Sequence, residues 1–260
     1  TRISRRPRTD RPTERRSLLR LLPGFELRRD DRPVSLPQSA ERLLAFLAVH
    51  DRAVQRSFVA GSLWLDATDS HALGSLRSAL WRVHTADDAV VETVGTRLRL
   101  APQVEVDLRN GHSAARRFLD DDSAGPRPAS VETLAALDAD LLPDWYLEDW
   151  LALPREQWRQ VRLHALEALA IRLARQGHFA AAVSAALASI RGEPLRESAH
   201  RCLVEVHLAD GNVGEAIVAY RRFRRLLWRE LHVEPSGGFA RLIGSATASP
   251  PPGRTAELRR

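Results

Sequence analysis

The sequence predicts a mainly α-helical protein with a small β component: an N-terminal winged helix-turn-helix followed by an all-α tetratricopeptide-like domain. Three observations predict it. Between Val54 and Val106, two short amphipathic stretches precede a pair of alternating runs, AVVETV and RLRL, that flank Gly95-Thr96. Helix, helix and β-hairpin in that order describe a winged helix-turn-helix. From Val131 the chain turns almost wholly helical. Within that half, GHFAAAVSAALAS from Gly177 aligns with GNVGEAIVAYRRF from Gly211, a period of 34 residues that is the tetratricopeptide signature.

Size and composition fit this reading. A chain of 260 residues with 44% apolar content has room for two globular domains with real cores. No uninterrupted apolar run is long enough to cross a bilayer. The best stretch, VRLHALEALAIRLARQGHFAAAVSAALASI, is broken by Arg162, Arg172, Arg175 and two histidines. The N-terminal arginines are not followed by the apolar region of a secretory signal, so a cytoplasmic protein with no membrane partner is expected. A single cysteine, Cys202, allows neither an internal disulfide nor a Cys-based zinc cluster, and its helical apolar surroundings make it a small core residue. All 39 basic residues are Arg, and the net charge of +6 is unevenly placed. Thr1 to Arg16 holds 7 Arg against 2 acids, whereas Ser17 to His112 holds 12 of each. Any attraction to nucleic acid must therefore come from the arm and from locally placed arginines.

Taken in order, residues 1–17 read as a disordered basic arm, either a phosphate-neutralising extension or a solvated tail. Leu18 to Leu36 reads as short strands, LLRLL, FELRR and RPVSL, with turns at Pro23-Gly24 and Asp30-Asp31. Gln38 to His50 is an amphipathic helix with Leu43, Leu44, Phe46 and Leu47 inward. Ser57 is placed to cap FVAGSLWL, which offers Val59, Leu63 and Trp64 for burial. Ser70 is placed to cap the next helix, Ser70 to His84. There Leu73, Leu76, Leu80 and Val83 form one apolar stripe, while His71, Ser75, Ser78 and Arg82 point away, with Arg77 and Trp81 on the flanks. Such a helix is either a reader of a DNA groove or an ordinary surface helix; its place before a hairpin favours the first.

The first domain is thus expected over 18–108 and a linker over 109–130, where a short helix (AARRFL) precedes DDDSAGPRPAS. The helical domain is expected over 131–245 and a disordered tail over 246–260. Trp145, Tyr146, Trp150 and Trp158 are expected to form one packing cluster. Pro194 falls twelve residues after Ala182, where the tetratricopeptide pattern places its proline. Arg221, Arg222, Arg224, Arg225 and Arg229 form a basic strip on the last long helix, a solvated face or a contact for DNA or an acidic partner.

The chemistry of catalysis is missing. No phosphate-binding loop, HExxH or GxSxG occurs, so no catalytic residue, no cofactor and no metal is expected, and the protein does not read as an enzyme. His200 and His207 lack ligand-spaced partners and read as surface or capping residues. Asp120 to Asp122 reads as a turn cluster without the spacing of a calcium loop.

The order and spacing of RPVSLP, LLAFLAVHDRAVQR, VAGSLW and LRSALWRV are similar to an OmpR-type winged helix. With LLPDWYLEDWL, AYRRFRRLLWRELHVEP and HVEPSGGFARL, the chain resembles the Streptomyces antibiotic regulatory protein family over about Leu18 to Leu242. Its second half is called the bacterial transcriptional activation domain. The resemblance implies a transcriptional activator of a secondary-metabolite (antibiotic) biosynthetic gene cluster. Such a protein binds direct repeats in double-stranded promoter DNA as a homodimer and recruits RNA polymerase holoenzyme through sigma factor. By position the recognition helix is Ser70 to His84, with DNA contacts from His71, Ser75, Arg77, Ser78, Trp81 and Arg82, and from Arg97 at the wing. The alternative is a tetratricopeptide-like interaction regulator with weak or lost DNA binding. Gly74 inside the helix, which costs on the order of 1 kcal/mol, and Asp87-Asp88 after it favour that alternative.

Overall fold

The computed structural model describes residues 17–87, 89–119 and 131–248. The basic arm over 1–16, Asp88, the Asp120 to Asp122 turn, half of the expected linker and most of the expected tail lie outside the described residues. The chain divides into two compact units. One runs up to Arg109 and includes Leu141–Pro154; the other comprises Asn110–Asp140 and the chain from Arg155 on.

The first unit opens with strands β1 (Ser17–Arg20), β2 (Glu26–Arg29) and β3 (Arg32–Val34). The β2–β3 turn is made by Asp30 and Asp31, both at positive φ (46° and 62°). Two-residue hairpins need that backbone, and Asp tolerates it better than most residues. Helix α1 (Gln38–His50) follows, burying Leu43, Leu44, Phe46 and Leu47 as its spacing requires. Strand β4 (Val54–Gln55) leads into α2 (Arg56–Leu63), then α3 (Asp69–Ala86), and the hairpin β5 (Val91–Val94) and β6 (Arg97–Leu100). Strand β7 (Val104–Val106) closes the unit by pairing parallel to β1, giving a sheet of order β3-β2-β1-β7. The fold is a winged helix.

Several local expectations are corrected. Neither Ser57 nor Ser70 caps a helix, because both helices start earlier. Gln55 and Thr68 hold the extended cap positions without a side-chain bond to the helix backbone, and Thr68 Oγ1 meets Ser70 Oγ instead (3.3 Å). Leu73 and Trp64 are only half-buried; Ala72 and Ala79 complete the inner face of α3. The expected linker begins inside a helix, α4 (Asp107–Leu119), which starts where Asp107 accepts the N–H groups of Leu21 (2.9 Å) and Leu22 (3.0 Å). Burial pushes the Asp107 carboxyl above its usual range, against the pull of those N–H groups.

The tryptophans do not cluster. Trp145 and Trp150 belong to the segment Leu141–Pro154, which completes the first unit. Trp145 stacks on Phe25 (5.8 Å) and Trp150 meets Phe46 edge-on (5.2 Å). The Leu142 N–H reaches Leu21 O (3.1 Å), and Arg42 Nη2 donates to Leu63 O (2.6 Å) and Glu148 (2.9 Å). Leu141, Leu142 and Leu151 are fully buried. Tyr146 instead is 78% exposed, and Trp158 is buried in the second unit. Trp145 and Tyr146 lie on an irregular stretch and Trp158 on a regular helix, so nearness in sequence does not place them in one core.

The second unit comprises the rest of α4 with α5 (Val131–Asp138), α6 (Ala152–Arg175), α7 (Phe179–Gly192), α8 (Glu197–Ala209), α9 (Val213–Leu231) and α10 (Gly237–Ala248). The expected tail from residue 246 therefore begins inside α10. The 34-residue period is visible in the backbone. After α6, His178 N bonds Leu173 O (2.9 Å) and Gly177 N bonds Ala174 O (3.0 Å). After α8, Asn212 N bonds His207 O (2.8 Å) and Gly211 N bonds Leu208 O (3.1 Å). Both are Schellman ends, and Gly177 and Gly211 supply their left-handed residue at φ 77° and 78°. The equivalent Ala182 and Ala216 are both fully buried. Helix α10 closes the stack, where Phe239 packs with Phe223, Leu227 and Val204. Gly111 lets α4 touch the buried Trp158, since a Cβ there would sit 2.7 Å from the indole. Cys202 is a core residue, its thiol pushed up to about 12 by burial. Among the described residues no helix is long and apolar enough to cross a membrane, and no group of three metal-ligating side chains is present.

His200 departs from the surface role expected of it. It is buried against Phe223 (4.2 Å between rings), and its Nε2–H donates to Pro194 O (2.9 Å).

Two tests follow from this packing. Leu151→Ala should cost about 2–5 kcal/mol and accelerate amide exchange in β1 and α1 but not in α8 or α9; uniform acceleration would deny the segment's place in the first unit. Burial holds the imidazoles of His200 and His112 below their ordinary 6.5. The unfolded chain thus takes protons that the native one refuses, and stability falls as pH drops below that value. Urea unfolding of the second unit at pH about 7.5 and about 5.5 should show a lower midpoint at the acidic pH; an equal or higher one contradicts this.

Candidate nucleic-acid interface

Helix α3 presents two faces fixed by its periodicity. Ala72, Leu76, Ala79, Leu80 and Val83 are buried against the first unit. His71, Arg77, Ser78, Trp81 and Arg82 are exposed, and Ser75 is half-buried at the margin. All six residues named from the sequence on this helix thus lie on its outer side. Together with Gly74, Ser70, Trp64 and Ser39, most of them line a shallow open depression. Trp64 and Ser39 were not anticipated. They come from the end of α2 and the start of α1, and only the packing of three helices places them beside α3.

Among the described residues, neither Arg77, Arg82 nor Arg97 has an ion-pair or hydrogen-bond partner. Other arginines of the unit are engaged: Arg99 grips Glu92 through Nε (2.9 Å) and Nη2 (2.7 Å), and Arg109 pairs with Asp51 (2.7 Å). Ser78 and Thr85 turn their hydroxyls back to the helix carbonyls of Gly74 (3.2 Å) and Trp81 (2.8 Å). Trp81 is 66% exposed, which leaves a large apolar ring in solvent next to the free guanidinium groups. Gly74 has no packing reason to be glycine, for a Cβ there would meet only the mobile end of Arg77, at 3.7 Å.

The wing is tied to the helices. Its turn uses Gly95 at φ 60°. β6 pairs with β5 on one side and with β4 on the other, where Val54 faces Leu98 and Gln55 faces Arg97. Thr96 Oγ1 donates to Gln55 (3.0 Å), Arg56 N donates to Thr96 O (3.2 Å), and Arg56 Nη2 donates to Thr93 Oγ1 (3.1 Å). Arg97 is exposed at the tip. A two-residue strand such as β4 leaves almost no periodic trace in sequence, so this brace was not legible there.

The far end of α3 is held by Asp87. Its side chain is 1% exposed and accepts the Ser17 hydroxyl (3.0 Å) and the Ala89 N–H (3.1 Å), with Arg29 Nε at 3.7 Å. Arg29 also donates to Ala86 O (3.2 Å), at the last turn of the helix. In the sequence, Asp87-Asp88 after the helix counts against tight DNA binding. In the fold Asp87 is a buried tether and faces the β1–β2 sheet.

Comparison with known proteins extends this picture. Residues 107–245 match the family model described as the bacterial transcriptional activator domain. Over 215 residues, 79% of the chain, the sequence is 30% identical to the regulatory protein AfsR of Streptomyces coelicolor. The chain spans only about a fifth of that relative's length (21%). Among solved structures, EmbR of Mycobacterium tuberculosis, determined in complex with a low affinity phosphopeptide, is similar in fold, with a TM-score of 0.72 at 19% identity. The similarity covers 90% of this chain and 65% of that one.

Asp87→Ala leaves Arg29 and Ser17 without their shared acceptor and should lower stability by about 1–3 kcal/mol, measured by denaturant unfolding; a loss near zero would mean that α3 is held by its leucines alone. Gly74→Ala should raise stability by about 0.5–1 kcal/mol, and a loss instead would reveal a packing role for the glycine.

Proposed function

The chain belongs to the bacterial transcriptional activator domain family, as the Streptomyces antibiotic regulatory proteins do, and from that premise we propose that it activates transcription by binding double-stranded promoter DNA sequence-specifically through α3. The family is one of transcriptional regulators rather than enzymes. The observation that carries the DNA reading is the pair of guanidinium groups, Arg77 and Arg82, unpartnered among the described residues, on the outer face of a helix whose other face and far end are fixed.

In this reading α3 lies in the major groove. An Arg can there bond the O6 and N7 of a guanine in bidentate fashion, which is worth about 1–3 kcal/mol of discrimination. Arg82 and Arg77 are assigned that role. His71, Ser75 and Ser78 serve as shorter donors or acceptors, and Trp81 covers apolar sugar or thymine-methyl surface. Arg97 at the wing tip meets the neighbouring backbone or minor groove, a contact that positions rather than specifies. The tie between wing and α2 fixes the distance between the two contacts. The family resemblance supplies the rest of the proposal. The protein binds direct repeats as a homodimer on DNA, recruits RNA polymerase holoenzyme through sigma factor, and controls a secondary-metabolite gene cluster.

Gel-shift binding to promoter DNA flanking its own gene, with the full chain and with residues 17–260, tests this reading. Discrete shifts resistant to competitor DNA are expected from both. Shifts lost with the arm would move the DNA anchor to residues 1–16, and no shift from either would leave a protein-interaction regulator. Arg82→Ala should weaken specific binding by about 1–3 kcal/mol while sparing non-specific binding; an equal loss on all sequences would make Arg82 a phosphate contact.

A further inference from the structure

The outer face of α9 carries a second concentration of positive charge, far in sequence from α3. Arg221, Arg224, Arg225 and Trp228 recur at three- and four-residue spacing, so they share one face of the helix. Ala216, Phe223 and Leu227 occupy the opposite face and are buried. With Glu234, the four outward residues line an open groove of about 500 Å³. Trp228 is 55% exposed, and the neighbouring Leu231 and Val233 are also exposed. Arg221 and Arg225 have no ion-pair or hydrogen-bond partner among the described residues. Arg224 holds the Glu234 carboxylate in a two-pronged grip, Nε to Oε2 at 2.6 Å and Nη2 to Oε1 at 3.0 Å.

We propose that this groove binds an acidic, amphipathic segment of a partner protein, its carboxylates meeting Arg221 and Arg225 and its apolar side chain covering Trp228. Three features point to that occupant. The groove retains an excess of positive charge after Glu234 is counted, so its complement is acidic. Glu234 shows that a carboxylate fits the guanidinium fork at this place, in the bidentate geometry that Arg favours. A half-exposed tryptophan flanked by arginines is also the composition in which binding energy concentrates at protein interfaces. Duplex DNA fits less well. Its backbone offers phosphates to the arginines but little to cover Trp228, Leu231 and Val233, and Glu234 would stand against it. The proposal concerns the second unit alone and is independent of DNA reading by α3.

The test uses the full chain and a fluorescein-labelled amphipathic peptide of glutamates and leucines, followed by anisotropy at roughly 0.1 M salt. A peptide with lysine in place of every glutamate is the control. Binding of the acidic peptide alone is expected. The double variant Arg221→Glu/Arg225→Glu should weaken it about tenfold or more, and Trp228→Ala at least about fivefold. These side chains are exposed, and an unchanged thermal midpoint confirms that the variants fold. Absence of binding by the acidic peptide, affinity unchanged by the substitutions, or equal binding of the lysine peptide would each overturn the proposal. So would displacement of the peptide by random-sequence duplex DNA whose own binding falls in the double variant, which would make the groove a nucleic-acid surface.

Discussion

A carboxylate that is 1% exposed persists in a protein interior only if its charge is met, and Asp87 is met by the Ser17 hydroxyl, the Ala89 N–H and the Arg29 guanidinium. Removing one partner of such a group leaves the other buried and unsatisfied, which costs more than the bond itself is worth. The constraint is directional as well as energetic. Apolar burial of Leu76, Leu80 and Val83 holds α3 against the unit but tolerates sliding and rolling. Bonds from β1 and β2 to the end of α3 specify where that end lies. The free arginines of the outer face inherit their position from this tether, and the wing inherits its own from β4.

The second unit meets a different problem. Its helices must approach closely around small side chains, and each must stop so that the next can return. The buried Ala182, Ala185 and Ala216 answer the first need. The paired Schellman ends at Gly177 and Gly211 answer the second, since a left-handed residue closes the helix and satisfies its last carbonyls. The outer face of α9 is thereby left to solvent, with Ala216, Phe223 and Leu227 committed to the core.

What could be read in the sequence follows from which forces leave a local trace. Helix α1 is bounded where its periodicity and Pro37 place it, and the hairpin is announced by alternation around Gly95. The repeat is announced by its glycines and alanines, and the outward stripe of α3 by simple spacing. Interactions across the chain leave no such trace. The parallel pairing of β7 with β1 joins residues far apart in sequence, and β4 is too short to show a period. Leu141–Pro154 reads with the helices that follow it, although Leu141, Leu142, Leu151 and its two tryptophans complete the first unit. The tether at Asp87 leaves no local trace either, since its partners Ser17 and Arg29 come beside it only when the sheet is in place. Ser57 and Ser70 have the right chemistry for caps but sit inside the helices, where chemistry alone does not set the first turn.

If α3, fixed by its core and by Asp87, enters the major groove, it shields the base edges there. Guanine N7 lies in that groove, so the decisive experiment is dimethyl sulfate methylation of promoter DNA bound by the full chain. Guanines at regularly spaced positions within the bound region should be protected, with adenine N3 in the adjoining minor groove protected only where the wing reaches. A complex that leaves every guanine N7 reactive would contradict the account.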